Sequence, residues 1–367
     1  MNKINSIYHK ALDSIDLNFA ECMELYTKAD QTELMLIANH IRNKIHNNKI
    51  VGWIIDRNIN ITNVCISQCK FCNYFRKPDS LEAQITSFEE YEQKITQLFE
   101  LGGSQILLQG GLHPKLGIDF YCDLFIKLKN RFPSLKLHAL GPPEIIHISR
   151  ISGIDVETTL NKLIAAGLDS LPGAGAEILS DRVRKIVSPN KCMAEDWLKV
   201  MRIAHKMNIV TSATMMFGHV ETPEERIEHL IKIRDLQAEK NESSTGFISF
   251  IPWIFKDEKT ILAEKFNVSN TATKSEYIRL IAVCRIILHN IKNIQASWLT
   301  TGKEAGQLCL SSGANDFGSI MIEENVVSSA GARHKMNQEE MIASIKQAGF
   351  VPKLRNQKFE YMDESPS

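Results

Sequence analysis

Residues 53–72 read Trp53-Ile54-Ile55-Asp56-Arg57-Asn58-Ile59-Asn60-Ile61-Thr62-Asn63-Val64-Cys65-Ile66-Ser67-Gln68-Cys69-Lys70-Phe71-Cys72. Residues 53–62 read as a strand, and the residues that follow set three cysteines as Cys65-x-x-x-Cys69-x-x-Cys72. Three thiolates on a short loop can hold three irons of a [4Fe–4S] cluster and leave the fourth open to another ligand. Such clusters ordinarily take four cysteines. A compact triplet without an obvious fourth partner therefore points to a catalytic cluster rather than an electron carrier.

Outward from this stretch the text alternates short apolar runs with amphipathic helices. Further candidate strands lie at 105–109, 136–140, 170–172, 210–217, 246–252, 294–298 and 316–321. Between them helical spacing appears at 88–101, 120–131, 156–166, 194–207, 223–237 and 275–291. Eight strands with crossover helices predict an α/β chain closed as a (βα)8 barrel. Residues 1–50 predict an N-terminal helical extension, since Leu12, Ile15, Phe19, Cys22, Met23 and Tyr26, then Leu34, Ile37, Ile41 and Ile45, recur near helical spacing. The barrel is expected over 51–350, followed by a C-terminal tail over 351–367.

At 367 residues and 44% hydrophobic content the chain can bury one large core. Its 43 basic and 43 acidic residues balance, which removes the electrostatic case for nucleic acid or an anionic membrane surface and favours a small-molecule partner. The polar, mixed start lacks the apolar core of a signal peptide, and no stretch approaches the ~18 uncharged apolar residues of a membrane span. A cytoplasmic protein is expected. Cys22, Cys122, Cys192, Cys284 and Cys309 are far apart in sequence and read as buried, reduced thiols.

The unusual polar motifs fall just after the candidate strands, where barrels of this type build active sites. Gln109-Gly110-Gly111-Leu112-His113-Pro114 follows the second strand, and His138-Ala139-Leu140-Gly141-Pro142-Pro143-Glu144 spans the third and its exit. Pro172-Gly173-Ala174-Gly175-Ala176-Glu177 follows the fourth and Gly218-His219-Val220-Glu221 the fifth. Taken alone, a Gly-Gly pair is a turn, a carboxylate after Pro-Pro is a turn residue, and a histidine at a strand end is a structural cap.

The triplet, with the aromatic Phe71 just before its last cysteine, resembles that of the radical S-adenosylmethionine enzymes. The resemblance implies a [4Fe–4S] cluster held by Cys65, Cys69 and Cys72, and S-adenosyl-L-methionine chelating the fourth iron, to be cleaved to methionine and a 5'-deoxyadenosyl radical. It implies an electron donor such as flavodoxin or ferredoxin. Gly110 and Gly111 look like the family's glycine pair, whose backbone receives the methionine ammonium. Thr214-x-Met216-x-Gly218-x-x-Glu221 resembles its loose pattern beside the adenine, with Thr and Met in place of the first two signature residues. Glu177, with Arg182 or Arg184, suits the ribose and carboxylate of the cofactor.

The phrases 109–114, 170–179 and 214–221 are similar to the branch that contains the futalosine-pathway menaquinone enzymes and the deazaflavin FO synthase subunits. Phe250-Ile251-Pro252-Trp253-Ile254-Phe255, Ala296-Ser297-Trp298-Leu299-Thr300-Thr301-Gly302 and the run from Gly313 to Val327 most resemble the cyclases of that pathway. For those, the resemblance implies dehypoxanthine futalosine as substrate, hydrogen abstraction at ribose C4', and closure of the carbon radical onto the benzoate ring. Aminofutalosine synthase and the FO synthase subunit are the sister alternatives. A non-catalytic iron–sulfur or zinc protein is the alternative of another class, although no second pair of zinc ligands is evident.

His219 and Glu144 are the candidate proton acceptors. Phe71, Gly110, Gly111, Glu177, Arg184 and Met216 are the expected cofactor contacts. Trp253 and Trp298 are candidates for stacking the aromatic ring, and Arg76, Arg182, Thr300 and Thr301 for anchoring the carboxylate. Asn315, Asp316, Glu323, Glu324 and Asn325 form a dense polar group expected at the site or its rim.

Overall fold

The computed structural model describes residues 3–46 and 48–362. Ten strands occur among them: β1 (Ile50–Ile54), β2 (Asp56–Asn60), β3 (Gln105–Gln109), β4 (Lys136–Ala139), β5 (Ser170–Leu171), β6 (Val210–Phe217), β7 (Phe247–Ile254), β8 (Asn293–Ile294), β9 (Asp316–Ser319) and β10 (Val351–Leu354). Seven make one parallel sheet in the order β2-β3-β4-β5-β6-β7-β8, and three make a second in the order β10-β1-β9. The expected first strand is split at Ile55: β1 pairs with β9 and β10, and β2 pairs with β3. A parallel bridge between Gln295 and Asp316 joins the far edge of the large sheet to β9. One edge of the large sheet thus meets β9, and at its other edge the chain runs directly from β1 into β2, so the parallel strands curl round in the α/β barrel architecture expected from the sequence.

Alternation along each strand sorts residues between the two faces. Ile59, Ile61, Ile106, Leu108, Leu137, Ala139, Ala213 and Met215 are buried in the hydrophobic core, whereas Asn58, Leu107, His138, Ser170, Ser212 and Thr214 line a cavity inside the barrel. Register makes Asn58, Leu107, His138, Ser170 and Val210 one continuous row across β2 to β6.

The crossover helices begin and end on local chemistry. Helix Val156–Ala166 starts on the Asp155 side chain, which accepts from Thr158 N–H, and stops at left-handed Gly167. Helix Pro223–Ala238 opens with a Thr222/Glu225 capping box and proline in its first turn. The N-terminal helices Lys3–Leu12, Phe19–Lys28 and Gln31–His46 are present as expected, and the second and third pack on helices Pro223–Ala238 and Lys274–Ile287. Arg279 ties the extension down by donating to the carbonyls of Leu25, Tyr26 and Ala29 at 2.6–3.1 Å.

Several boundaries differ from expectation: the helix expected at 275–291 spans Lys274–Ile287 and the strand expected at 246–252 spans Phe247–Ile254. The seventh strand is only Asn293–Ile294, because the chain turns at Ser297 into the short helix Trp298–Thr301. The eighth ends at Ser319, ahead of Met321, whose φ is 50°. Strand β10, which carries a proline and too little apolar pattern to be read locally, pairs with the outer edge of β1. No helix among the described residues is long and apolar enough to cross a membrane.

Candidate active site

The cysteine loop leaves β2 and is fixed at both ends by backbone bonds. Cys65 N–H donates to Arg76 O at 3.0 Å, Ile66 N–H to Leu112 O at 3.1 Å and Lys70 N–H to Val187 O at 2.8 Å. Gly111 sits directly against the loop: a Cβ there would lie 2.2 Å from Val64 O and 2.9 Å from Cys65 Cβ. That close approach requires glycine. The next N–H, of Leu112, donates to Cys65 Sγ at 3.3 Å, and the Ser67 hydroxyl lies 3.1 Å from Cys69 Sγ. Polar groups thus already surround two of the sulfurs, as the tuning of a cluster requires.

All eight cysteines are free thiols. Burial pushes the Cys69 thiol up to about 12, against the pull of Lys191, and burial raises Cys72 as well. Iron takes both as thiolates, so loading releases their protons. Among the described residues no three His, Cys, Asp or Glu groups gather as a single-ion centre. A [4Fe–4S] cluster takes one thiolate on each of three irons, so three neighbouring thiols on one cavity wall, two with hydrogen-bond partners, fit it.

Beside the triplet lies an ion-paired group. Lys191 Nζ is 2.8 Å from Glu177 Oε1, Arg184 is 3.6 Å from Glu177 Oε2, and Lys191 Nζ stands 5.4 Å from the Phe71 ring centroid. Burial works against both charges, but Lys191 and Arg184 hold the Glu177 carboxyl below its ordinary value, while Cys69 and Glu177 hold Lys191 above its own. Glu177 has φ 40°, and its buried Oε2 accepts no hydrogen bond. Glu144 behaves differently. Burial raises its carboxyl to about 7, against Lys191 and the backbone N–H groups of Glu144, Gly110 and Gly141.

These groups share one cavity of about 420 Å³. Cys65, Cys69, Cys72, Phe71, Gly110, Gly111, Glu144 and Glu177 all line it, as do Trp253, Trp298, Thr300 and Glu324. Three expected site residues do not. His219 has a fully buried side chain whose Nε2 is 3.0 Å from Met216 O and whose Nδ1 is 3.0 Å from Glu221 Oε2. The turn at Gly218, φ 93°, points it away from the barrel interior. Met216 is buried outside the lining, and its N–H donates to Glu177 O at 3.0 Å. Arg184 is buried behind the wall, where it donates to the carbonyls of Gly175, Ala176 and Cys192 at 2.7–3.0 Å. It shapes the 173–177 turn.

The remaining polar candidates divide similarly. Arg76 pairs with Glu82 and Arg182 with Glu225. Glu323 is held by Arg57 at 2.9 Å and Lys94 at 2.7 Å. Asn315 bonds Arg285 at 2.8 Å, and Asp316 takes both ends of the Arg355 guanidinium. The cavity also contains His138, the first residue of the 138–144 motif, and three residues that no motif announced: Lys191, Arg355 and Gln357. Lys191 stands in an irregular turn, and Arg355 and Gln357 arrive only because β10 carries the following chain beneath the barrel.

Two family models match this chain: the radical SAM superfamily over residues 59–233 and the CofH/MqnC C-terminal region over 244–367. The cyclic dehypoxanthine futalosine synthase of Streptomyces coelicolor is 44% identical over 345 residues, covering 93% of this chain and 84% of the relative. That of Halalkalibacterium halodurans is 39% identical, covering 97% and 94%. A 5-amino-6-(D-ribitylamino)uracil–L-tyrosine 4-hydroxyphenyl transferase of Methanosarcina barkeri is 40% identical, covering 91% and 88%. Among solved structures, methylornithine synthase superposes with a TM-score of 0.72 at 17% identity, covering 94% of this chain and 97% of that one. The [FeFe]-hydrogenase maturase HydG gives 0.71 at 14%, covering 95% and 75%. With the cysteine triplet, the glycine pair and the barrel in one arrangement, the chain belongs to the radical SAM superfamily, in the group of the cyclic dehypoxanthine futalosine synthases.

Proposed function

We infer that this enzyme converts dehypoxanthine futalosine to its cyclic form, a step of menaquinone biosynthesis. The observation that carries the reading is the joining of a full cysteine triplet to a partly aromatic cavity inside the barrel, in a chain whose relatives with that activity match across more than nine-tenths of its length. When bound, the [4Fe–4S] cluster and S-adenosylmethionine supply the 5'-deoxyadenosyl radical that starts the reaction.

The protein's own contribution is positioning and exclusion of water. Cys65, Cys69 and Cys72 hold the cluster, and Gly110, Gly111, Glu177 and Phe71 face the cofactor. Lys191 balances the negative charge at this end of the cavity. Trp253 and Trp298 supply flat walls for an aromatic ring. Restoring aromaticity after ring closure releases one electron, back to the oxidised [4Fe–4S] cluster, and one proton, for which Glu144, inside the cavity and with its carboxyl raised by burial to about 7, is the acceptor. His219 supports the turn behind Glu177 rather than touching substrate. The electron donor is a small redox protein such as flavodoxin or ferredoxin, and the enzyme works in the cytoplasm without nucleic-acid or membrane partners.

Anaerobic reconstitution followed by reaction with dehypoxanthine futalosine and a reductant tests the reading. Formation of the spirocyclic product with one 5'-deoxyadenosine per turnover supports it. Turnover of only an enolpyruvyl benzoate or a tyrosine substrate would assign the chain to a sister activity.

A further inference from the structure

The middle of the cavity holds a histidine that the proposed reaction leaves unused. His138 lies on β4 in the row Asn58–Leu107–His138–Ser170–Val210, and every member of that row lines the cavity. Glycines 110 and 111, at the cofactor end, lie beyond the C-terminal ends of the same strands. His138 therefore lies deeper in the barrel than the glycine pair and the cysteine loop, on the side the proposed function leaves for the substrate.

Its orientation is fixed from the far end of the chain. Past β10, Arg355 is held by Asp316 through two bonds, and an antiparallel bridge between Arg355 and Tyr361 folds the segment into a short loop under the barrel. Gln357, carried by that loop, donates from Nε2 to Ser170 Oγ. The Ser170 hydroxyl lies 2.5 Å from His138 Nδ1. With the oxygen accepting from Gln357, its own proton goes to Nδ1, so the neutral imidazole carries hydrogen on Nε2. Among the described residues Nε2 meets no protein partner.

We propose that His138 is a specificity-determining residue whose Nε2–H donates to an acceptor oxygen on the keto-benzoate part of the substrate, with Ser170 and Gln357 as the positioning residues that set its tautomer. The inference rests on the proposed function. The keto-benzoate end carries oxygens that only accept, in its ketone and its carboxylate, which a fixed neutral donor matches without giving up a charge. A sugar hydroxyl would also need an acceptor for its own proton, and in this tautomer His138 has none left. The neutral form is retained because burial, aided by nearby Arg355, lowers the imidazole to about 4.

The test combines variants with substrate analogues in the full-length, reconstituted enzyme. His138→Leu is expected to raise KM for dehypoxanthine futalosine about tenfold, the loss of one hydrogen bond, while KM for S-adenosylmethionine stays within about twofold. 5'-Deoxyadenosine should then form in excess over product. Two analogues, one with the carboxylate replaced by methyl and one with the ketone reduced, identify the oxygen: the analogue lacking the contacted group loses nothing further in His138→Leu. Nitrogen-15 shifts of the His138 ring should report hydrogen on Nε2, lost in Ser170→Ala and restored in Ser170→Thr. Hydrogen on Nδ1, an unchanged KM, or non-additivity only with a deoxy-sugar analogue would each overturn the inference. Should His138→Leu fail to fold, His138→Phe carries the same analogue comparison, and the ring shifts of the unmutated enzyme still decide the tautomer. Absence of product from the unmutated enzyme would instead sink the cyclase reading, and the substrate assignment with it.

Discussion

Gly111→Ala is the sharpest probe of how the barrel carries its cluster. The added Cβ would stand 2.2 Å from Val64 O and 2.7 Å from Val64 C, where an ordinary contact begins at 3.4 Å. The shortfall is about 1.2 Å, and it falls on backbone, which cannot swing aside as a side chain can. Relief requires moving Val64 and Cys65 by about 1 Å relative to β3. That strains the Leu112 N–H bond to Cys65 Sγ and the Ile66 N–H bond to Leu112 O, 3.3 and 3.1 Å in the unmutated protein. Overpacking of this kind costs about 1–3 kcal/mol, and in a domain of this size that lowers Tm by only a few degrees.

The effect on the cluster should be far larger, because three ligands must keep one geometry. Iron after anaerobic reconstitution is expected to fall from about four per chain to below about one. Gly110→Ala is the internal control. Its Cβ would meet Ile61 Cβ at 3.1 Å and Thr62 N at 3.2 Å, distances a few tenths of an ångström can relieve, so iron content should hold. Iron and sulfide analysis, the visible charge-transfer band and a thermal melt make the comparison. Full iron with an unchanged melt in Gly111→Ala would refute the reasoning, as would equal loss in both variants.

Replacing Cys65, Cys69 or Cys72 singly by Ala should abolish cluster-dependent 5'-deoxyadenosine formation, measured by chromatography after reduction. Glu144→Gln should lower kcat and remove the acidic limb, centred near pH 7, from its pH profile. The linkage has a definite sign: with its folded pKa raised above 4.5, Glu144 favours the fold below pH 4.5 and loses that contribution as pH rises through about 7. Melts of the Gln variant should therefore decline less between those values. Arg355→Ala leaves Asp316 buried without its partner, and loss of such a pair costs about 3–5 kcal/mol. Chemical denaturation should show that loss, and a hydrophobic pair replacing both residues should recover part of it.

The strands and crossover helices were legible because each is a local pattern. Apolar periodicity gave helix Val156–Ala166 residue for residue, and the strand-then-motif order placed Cys65, Cys69, Cys72, Gly110, Gly111, Glu144 and Glu177 round one cavity. Facing was less legible. His219 and Thr214 belong to one motif, yet Thr214 lines the cavity and His219 does not, because a left-handed Gly218 lies between them. Long-range partners were not legible. Nothing near Lys191 signals Glu177, and nothing near Gln357 signals Ser170, since those pairings arise only once the barrel has wound.

The split first strand bears on how the molecule is made. β1 finds its partners at Asp316–Ser319 and Val351–Leu354, more than 260 residues after its own end. At ~5–20 residues per second the ribosome needs on the order of tens of seconds to deliver them. Until then the strand leading into the cysteine loop has an open edge, and the cavity has no floor. Cluster insertion into a finished site must therefore follow completion of the chain, and a cell making this enzyme must shield both the exposed strand and three free thiols in the interval.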